Sequence, residues 1–368
     1  MEHIPQTQMN KKHLSLTVLS VLFLSTLCTP LFALDAQFGW LPENINPVYG
    51  DKIDDLYKVI MVVVGIAFFL TEGTLLFCIF AFRSRPGHKA KYSHGNLKAE
   101  LFWSVLPCII LVWLALVQRS TWMEAKVDFP EKPDLVIQAF PEQFQWNFRY
   151  PGEDGKFGTQ DDFALTGNLH IPVNKTVVVD MTAKDVIHSF FLPHARVKQD
   201  AVPGMKTRVW FKVDKLACWD LKNDQMASLT EDQFRGTKII EKGYRFKNYK
   251  VDADGQEISK GQLWPGYKRF SYEPTKSKTV SYRENGSELK EVAREEAGDL
   301  SHALHYYEVA CAELCGLGHY KMSAKLVVMT DEMFSEWQAM RMQKFGESKV
   351  EKEKFQDIWD KHFAHFNR

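Results

Sequence analysis

The sequence predicts a membrane-anchored protein in which a transmembrane helical hairpin precedes an all-β globular domain. Two long apolar runs, residues 59–82 and 101–117, lie in the first third of the 368-residue chain. Beyond Lys126 the chain changes to short β-branched or alternating runs separated by turn residues, which is typical of a sandwich or barrel. The length allows about two domains. The formal net charge is zero, so the overall charge gives no reason to expect a nucleic-acid partner.

The first apolar run, residues 14–27, follows Lys11 and Lys12 and precedes small residues that end at Ala33. A basic start, a short apolar stretch and a small residue are typical of a secretory signal, which we predict over residues 1–33. The alternative is a third membrane helix, although the run is shorter than the roughly 20 residues that a span requires.

The hairpin is predicted over residues 51–122. The run 59–82 is long enough to span a bilayer, but it contains Glu72. A carboxylate at this depth should face a protein partner or water. The loop between the two runs is basic, and by the positive-inside rule it lies in the cytoplasm. The globular domain, predicted over residues 126–330, then lies on the outer side of the membrane. Its candidate strands are residues 136–140, 145–150, 170–172, 176–181 and 208–212.

One short loop concentrates metal-binding side chains: Cys311, Cys315, His319 and Met322. Thiolate, imidazole and thioether donors suit copper better than calcium, magnesium or manganese. If His188 folds onto this loop, the set has five donors, which exceeds the four that a single tetrahedral zinc ion binds. Two copper ions that share the two thiolates would use all five. The alternatives are a disulfide between the cysteines, which an exported domain permits, and a zinc site with His319.

The pattern Cys-x-Glu-x-Cys-x3-His-x2-Met, preceded by Asp-Val-Ile-His-Ser-Phe at residues 185–190, resembles the dinuclear copper (CuA) domain of cytochrome c oxidase subunit II. The resemblance implies a cupredoxin-like Greek-key sandwich. It also implies that Cys311 and Cys315 bridge two copper ions, that His188 and His319 are terminal ligands, and that Met322 is a weak axial ligand.

Two carboxylates have implied roles beside the copper ligands. The resemblance assigns the backbone carbonyl of Glu313 to one copper, and its carboxylate to a magnesium or manganese ion shared with the catalytic subunit. The segment from Glu100 to Pro107 resembles the start of the family's second helix, where the glutamate stands near the mouth of a proton-uptake path. The alternative for Glu100 is a cap at the start of a helix.

The position at which electrons enter departs from the family pattern. A Gln-Trp-x-Trp pattern is usual there, and its first tryptophan accepts electrons from cytochrome c. This chain has Phe144 at the first position and Trp146 at the second. Either Trp146 takes over the role, or Phe144 occupies a modified surface while Trp146 packs inside. Asp185 and Asp200 match acidic positions near the family's docking face, although ordinary surface carboxylates are an equal alternative.

The largest departure is an insertion at about residues 216–299, read as an added subdomain or a large structured loop because it is too aromatic for plain disorder. Cys218 within it is expected to be a free or buried thiol. His302 and His305 lie near the metal motif in sequence, but the implied ligands already fill that site. Residues 331–368 form a charged tail with helical spacing.

The resemblance implies that the chain is the subunit through which electrons enter a terminal haem–copper oxidase in a bacterial-type inner (cytoplasmic) membrane, with the copper domain on the periplasmic side. A c-type cytochrome would donate electrons. Catalytic subunit I, together with subunit III, would use them to reduce oxygen and pump protons. The alternatives are the copper subunit of a related nitric oxide reductase and a metal-free quinol oxidase subunit II. The quinol family lacks the cysteine pair.

Overall fold

The computed structural model describes residues 41–87, 89, 92, 94–159, 161–251, 267–285, 289–296, 300–349, 351–353 and 355. The predicted signal at residues 1–33 and the last part of the tail lie outside these residues. Within them, residues 51–124 belong to one compact unit, and residues 43–50 with those from 125 onward belong to a second.

The first unit is a pair of long helices, α1 (Gly50–Ala81) and α2 (Leu97–Lys126). Both are long and apolar enough to cross a membrane, and their large apolar side chains are mostly exposed, as lipid-facing side chains would be. Glu100 lies in the first turn of α2, where its carboxylate accepts a hydrogen bond from the Asn96 backbone N–H at 3.2 Å. The Asn96 side chain accepts from the backbone N–H of Lys98. Glu100 therefore acts as part of a helix cap.

The second unit is built on two five-stranded sheets. The strands of the first, in spatial order, are β3 (Phe163–Thr166), β2 (Asn147–Tyr150), β1 (Leu135–Ala139), β5 (Thr176–Met181) and β8 (Thr207–Lys212). Those of the second are β4 (Asn168–Pro172), β18 (Ser323–Met329), β17 (Tyr307–Cys311), β6 (His188–Leu192) and β7 (Val197–Ala201). The pairs β1–β5 and β4–β18 are parallel and the others antiparallel.

The sandwich core consists of aromatic and branched side chains from both sheets. Trp146, Phe148, Phe190 and Phe211 are among the fully buried ones. Tyr150 joins the two sheets, because its hydroxyl donates to the His170 carbonyl at 2.9 Å and accepts from the His170 N–H at 2.8 Å. This braced sandwich confirms the predicted fold class and gives the loops at its ends a rigid support.

The insertion forms most of a third sheet, which also includes residues 302–304 beyond it. The six strands of this sheet, in spatial order, are β10 (Gln225–Thr230), β9 (Lys215–Asp220), β16 (His302–Leu304), β11 (Ile239–Lys242), β14 (Thr279–Arg283) and β15 (Leu289–Ala293). A short helix α3 (Glu231–Arg235) and a hairpin of β12 (Tyr244–Val251) and β13 (Tyr267–Pro274) accompany it. Cys218 is a buried free thiol on β9, and burial raises its pKa to about 12.

Helix α4 (Asp331–Glu347) begins at Thr330, whose side chain accepts from the Met333 N–H. Trp337 on this helix stacks on His170 of edge strand β4 with ring centroids 4.2 Å apart. On another side of the helix, Glu332 pairs with Arg235 at 2.8 Å. Helix α4 therefore packs on an edge of the sandwich and is also tied to the insertion.

Candidate metal centre

Strand register brings the two distant parts of the metal motif together. Strand β17 ends at Cys311, and its antiparallel neighbour β6 begins at His188. Cys311 pairs with Phe190, so His188 lies two residues further along, at the end of the sheet from which the cysteine loop leaves. One pair of strands therefore brings together His188 and Cys311, which are 123 positions apart in sequence.

The predicted ligands form one cluster. The Nδ1 atom of His188 lies 3.9 Å from the Cys311 sulfur, and the Nδ1 atom of His319 lies 3.5 Å from the Cys315 sulfur. The Met322 thioether sulfur lies 3.6 Å from the Cys315 sulfur. One ligand atom each from His188, Cys311 and Cys315 lies within 4.8 Å of the other two. The structure thus brings together all five side-chain donors that the sequence singled out.

The loop reaches this geometry through a tight turn. Gly316 has φ +128°, a conformation that L side chains rarely adopt. A 3-10 turn at His319–Lys321 follows, and the Met322 N–H donates to the His319 carbonyl at 3.0 Å. This turn brings His319 and Met322 back towards Cys315. The side chains of Cys315 and Met322 are buried.

Glu313 contributes its backbone to the cluster. Its carbonyl oxygen lies 3.3 Å from the Cys311 sulfur, so it is close enough to the donor cluster to be a candidate ligand. The residue as a whole is exposed. Its carboxylate is therefore accessible to a group outside the ligand cluster.

Asp185 and Gln143 hold the two halves of the cluster in place. Asp185 accepts from His188 Nε2 at 2.9 Å, which leaves the other ring nitrogen to face the sulfur atoms. The other oxygen of Asp185 accepts from the Gln143 N–H at 2.8 Å. The Gln143 side-chain amide donates to the Cys315 carbonyl. Sequence reasoning missed these two roles, although the position of Asp185 three residues before a ligand histidine was a usable signal.

The two thiols differ in acidity. Burial acts to raise the pKa of Cys311, but hydrogen bonds from His188 and nearby backbone groups outweigh it and lower the pKa to about 6. Burial and the adjacent Cys311 raise the pKa of Cys315 to about 11. The pKa of His188 is raised, because the interactions with Cys311 and Asp185 outweigh the opposing effect of burial. One thiolate thus forms more readily than the other, and metal binding would remove the proton from the second.

The donor set fits copper. Both cysteines are free thiols in the structure. Two sulfurs, two imidazoles and a thioether exceed the four ligands of a structural zinc site, and they are the soft and borderline donors that copper prefers. The buried position of Cys315 and Met322 also keeps water from the sulfur side of the cluster.

Of the two aromatic residues considered for electron entry, Trp146 is buried and Phe144 is exposed. Trp146 is 0% exposed, lies edge-on to His188 with ring centroids 6.5 Å apart, and cannot touch a docking partner. Phe144 is 37% exposed and lies over the cysteine loop, where a Cβ added to Gly318 would be 2.5 Å from its ring. Of the two alternatives for this segment, burial favours Phe144 at the surface and Trp146 packed inside.

Other candidate residues lie outside the cluster. Asp200 accepts from the Ser189 hydroxyl at 2.6 Å rather than from a ligand. His305 is buried against Tyr272 of the insertion, with its Nδ1 3.0 Å from the phenol oxygen. His302 lies on β16 beside the Ser301 hydroxyl at 2.9 Å.

Two family models match the chain. The model described as cytochrome c oxidase subunit II, transmembrane domain, matches residues 36–118, and the one described as the periplasmic domain matches residues 135–222. The cysteine loop lies beyond the second match, after the insertion.

Named relatives agree with these matches. The chain is 29% identical over 248 residues to the alternative cytochrome c oxidase subunit 2 of Bradyrhizobium diazoefficiens, covering 61% of this chain and 88% of the relative. It is 30% identical over 214 residues to the probable cytochrome c oxidase subunit 2 of Rickettsia bellii, covering 54% of this chain and 78% of the relative.

Among solved structures, the periplasmic domain of cytochrome oxidase subunit II from Bradyrhizobium japonicum aligns with 59% of this chain and 99% of its own, at 21% identity and a TM-score of 0.32. The family assignment depends on the sequence matches, which extend over both the helical hairpin and the first part of the sandwich. The protein belongs to the cytochrome c oxidase subunit II family and is thus a subunit of an oxidoreductase, a haem–copper oxidase.

Proposed function

We propose that this protein is the electron-accepting subunit of a haem–copper oxidase that oxidises a c-type cytochrome and reduces oxygen. The observation that carries the proposal is the convergence of His188, Cys311, Cys315, His319 and Met322 at one end of the sandwich. The two apolar helices would anchor the chain in a bacterial-type inner membrane, in contact with lipid, with the copper domain on the periplasmic side.

In this function the thiolates of Cys311 and Cys315, the imidazoles of His188 and His319 and the thioether of Met322 would hold two copper ions. When bound, the dinuclear copper would supply a one-electron redox centre. The chain itself holds the ligands still, because His188 and Cys311 lie at the ends of paired strands. Asp185 fixes the orientation of the His188 ring. Ligands that barely move suit fast electron transfer, and a braced sandwich provides them.

The catalytic subunit would receive the electrons and carry out the oxygen chemistry, with subunit III as a further partner. The exposed Glu313 carboxylate is suited to reach a magnesium or manganese ion at the junction with that subunit. Glu100, at the start of a membrane helix, would stand near a proton-uptake path in addition to its capping role. The intact cysteine pair argues against a quinol oxidase. The identity of the catalytic subunit decides whether oxygen or nitric oxide is the terminal electron acceptor.

Metal analysis and electron paramagnetic resonance of the purified oxidase test the proposal. We expect two coppers in this subunit and one unpaired electron coupled to two equivalent copper nuclei. Cys311→Ser should abolish this signal because oxygen is a poor bridge for soft copper. Cys218→Ala is the matched control, since that thiol is buried in the insertion. A single zinc, or a Cys311–Cys315 disulfide in active enzyme, would contradict the proposal.

A further inference from the structure

A cavity of about 420 Å³ lies where helix α4 packs on the edge of the sandwich. Edge strands β3 and β4 contribute Leu165 and His170 to its wall, and α4 contributes Trp337 and Arg341. The chain that follows α4 contributes Phe355. None of the lining residues belongs to the ligand cluster, and the volume is in the range of small-molecule sites.

Arg341 brings a positive charge to this cavity, and the fold does not neutralise it. The residue is half-buried, and it takes part in no salt bridge with any residue that the structure describes. One of its terminal nitrogens, Nη2, donates to the Ala164 carbonyl over a long 3.4 Å, and its Nε is buried without a hydrogen-bond partner. A half-buried guanidinium with unused donors is costly unless an anion supplies the acceptors. Arg341 is therefore suited to bind a carboxylate.

His170 is a second polar group in the wall that lacks a partner. Its side chain is 8% exposed, and its Nδ1 has no hydrogen-bond partner. Trp337 stacks on the ring and holds it in place. Burial and the nearby Arg341 charge lower the pKa of His170 to about 3, so the ring is neutral at pH 7 and has one donor and one acceptor nitrogen. Buried polar atoms without partners are rare in native proteins, so this one also indicates a ligand.

The rest of the wall limits what else the ligand carries. Leu165, Trp337 and Phe355 give the cavity apolar surface. Glu351 also lines it, and its backbone N–H is fixed by the Ser348 hydroxyl at 3.2 Å. A second negative charge on a ligand would be repelled by the Glu351 carboxylate. The lining therefore favours a single negative charge on an apolar body.

We propose that this cavity binds a small monocarboxylate with an apolar, flat body. Its carboxylate would pair with Arg341 and bond to His170, and its body would lie against Trp337 and Phe355. The inference goes beyond the proposed function and does not depend on it, because the cavity shares no residue with the copper ligands.

Isothermal titration calorimetry on the full-length, detergent-solubilised chain tests the proposal. The probe is 3-phenylpropionate, and its neutral amide is the matched probe without a charge. The variants are Arg341→Gln and Glu351→Gln. Lys344→Gln is the control, because Lys344 is an exposed cation on the same helix and does not line the cavity. Thermal melting of each variant checks that it folds.

We expect the acid to bind the parent with a Kd of roughly 0.1–1 mM, which is ordinary for a ligand of this size. The amide should bind about tenfold more weakly or worse, and so should the acid to Arg341→Gln, because each change removes a charge-assisted hydrogen bond. Glu351→Gln should strengthen binding of the acid by about threefold, because it removes a like charge. Lys344→Gln should match the parent.

Equal affinities of the parent for the acid and the amide would overturn the inference, because the cavity would then not recognise a negative charge. An unchanged affinity in Arg341→Gln, an equal loss in Lys344→Gln, or no binding of the acid up to about 10 mM would overturn it as well. If Arg341→Gln does not fold, the acid–amide comparison and the direction of change in Glu351→Gln decide the matter. The copper signal tests the proposed function separately, so failure of either proposal leaves the other in place.

Discussion

Replacing Asp185 with asparagine tests whether the ligand cluster depends on its hydrogen-bonded support. The Asp185 side chain is 31% exposed. It accepts from His188 Nε2 at 2.9 Å, from the Gln143 N–H at 2.8 Å and from the Val186 N–H at 2.7 Å. Asn keeps the shape of the side chain but removes its charge and one of its two acceptor oxygens.

The magnitude follows from the lost acceptor. Because Oδ1 accepts from both His188 and Val186 and Oδ2 accepts from Gln143, the amide group of Asn must oppose at least one donor. A hydrogen bond to a charged group contributes about 1.5–3 kcal/mol. That loss corresponds to roughly 10- to 100-fold in copper affinity, the usual range for support of a metal-bound histidine.

Competition with a copper(I)-specific chelator on the full-length, detergent-solubilised chain measures this affinity. Asp200→Asn is the control, because Asp200 accepts from the Ser189 hydroxyl rather than from a ligand. Equal copper affinities for Asp185→Asn and the parent, or an equal loss in Asp200→Asn, would refute the reasoning.

Three further predictions follow from the structure. Met322→Leu should leave copper bound but shift its reduction potential, because a weak axial ligand affects the potential more than the copper affinity. Redox titration measures this shift. Trp337→Ala should lower the free energy of unfolding by about 3–5 kcal/mol in denaturant titrations, whereas Met340→Ala on the exposed side of the same helix should change it little. Burial and the Lys325 ammonium lower the pKa of His305 to about 4. In the unfolded chain this histidine has a pKa near 6.5, so the unfolded state takes up the proton first as the pH falls. Lowering the pH from 7 to about 4.5 should therefore lower the free energy of unfolding by roughly 2 kcal/mol. The variant His305→Phe should reduce this loss.

The sequence by itself determined the features that depend on local pattern and composition. Continuous apolar runs predicted the two long helices, since a bilayer-spanning helix must be apolar over its length. The spacing from Cys311 to Met322 indicated the donor set, because one loop holds four of the five side chains. Alternating apolar residues predicted strands such as those around Trp146 and Val178.

The tertiary structure alone decided which distant residues meet and which aromatic side chain is exposed. The approach of His188 to Cys311 depends on the register between β6 and β17, which no local pattern specifies. The burial of Trp146 and the exposure of Phe144 depend on which face of the chain turns into the sandwich. The support of both halves of the site by Asp185 and Gln143 likewise needs three loops to converge at one end of the sheets. Strand register and loop convergence are set by contacts between residues far apart in the chain, so they become visible only once the core has formed.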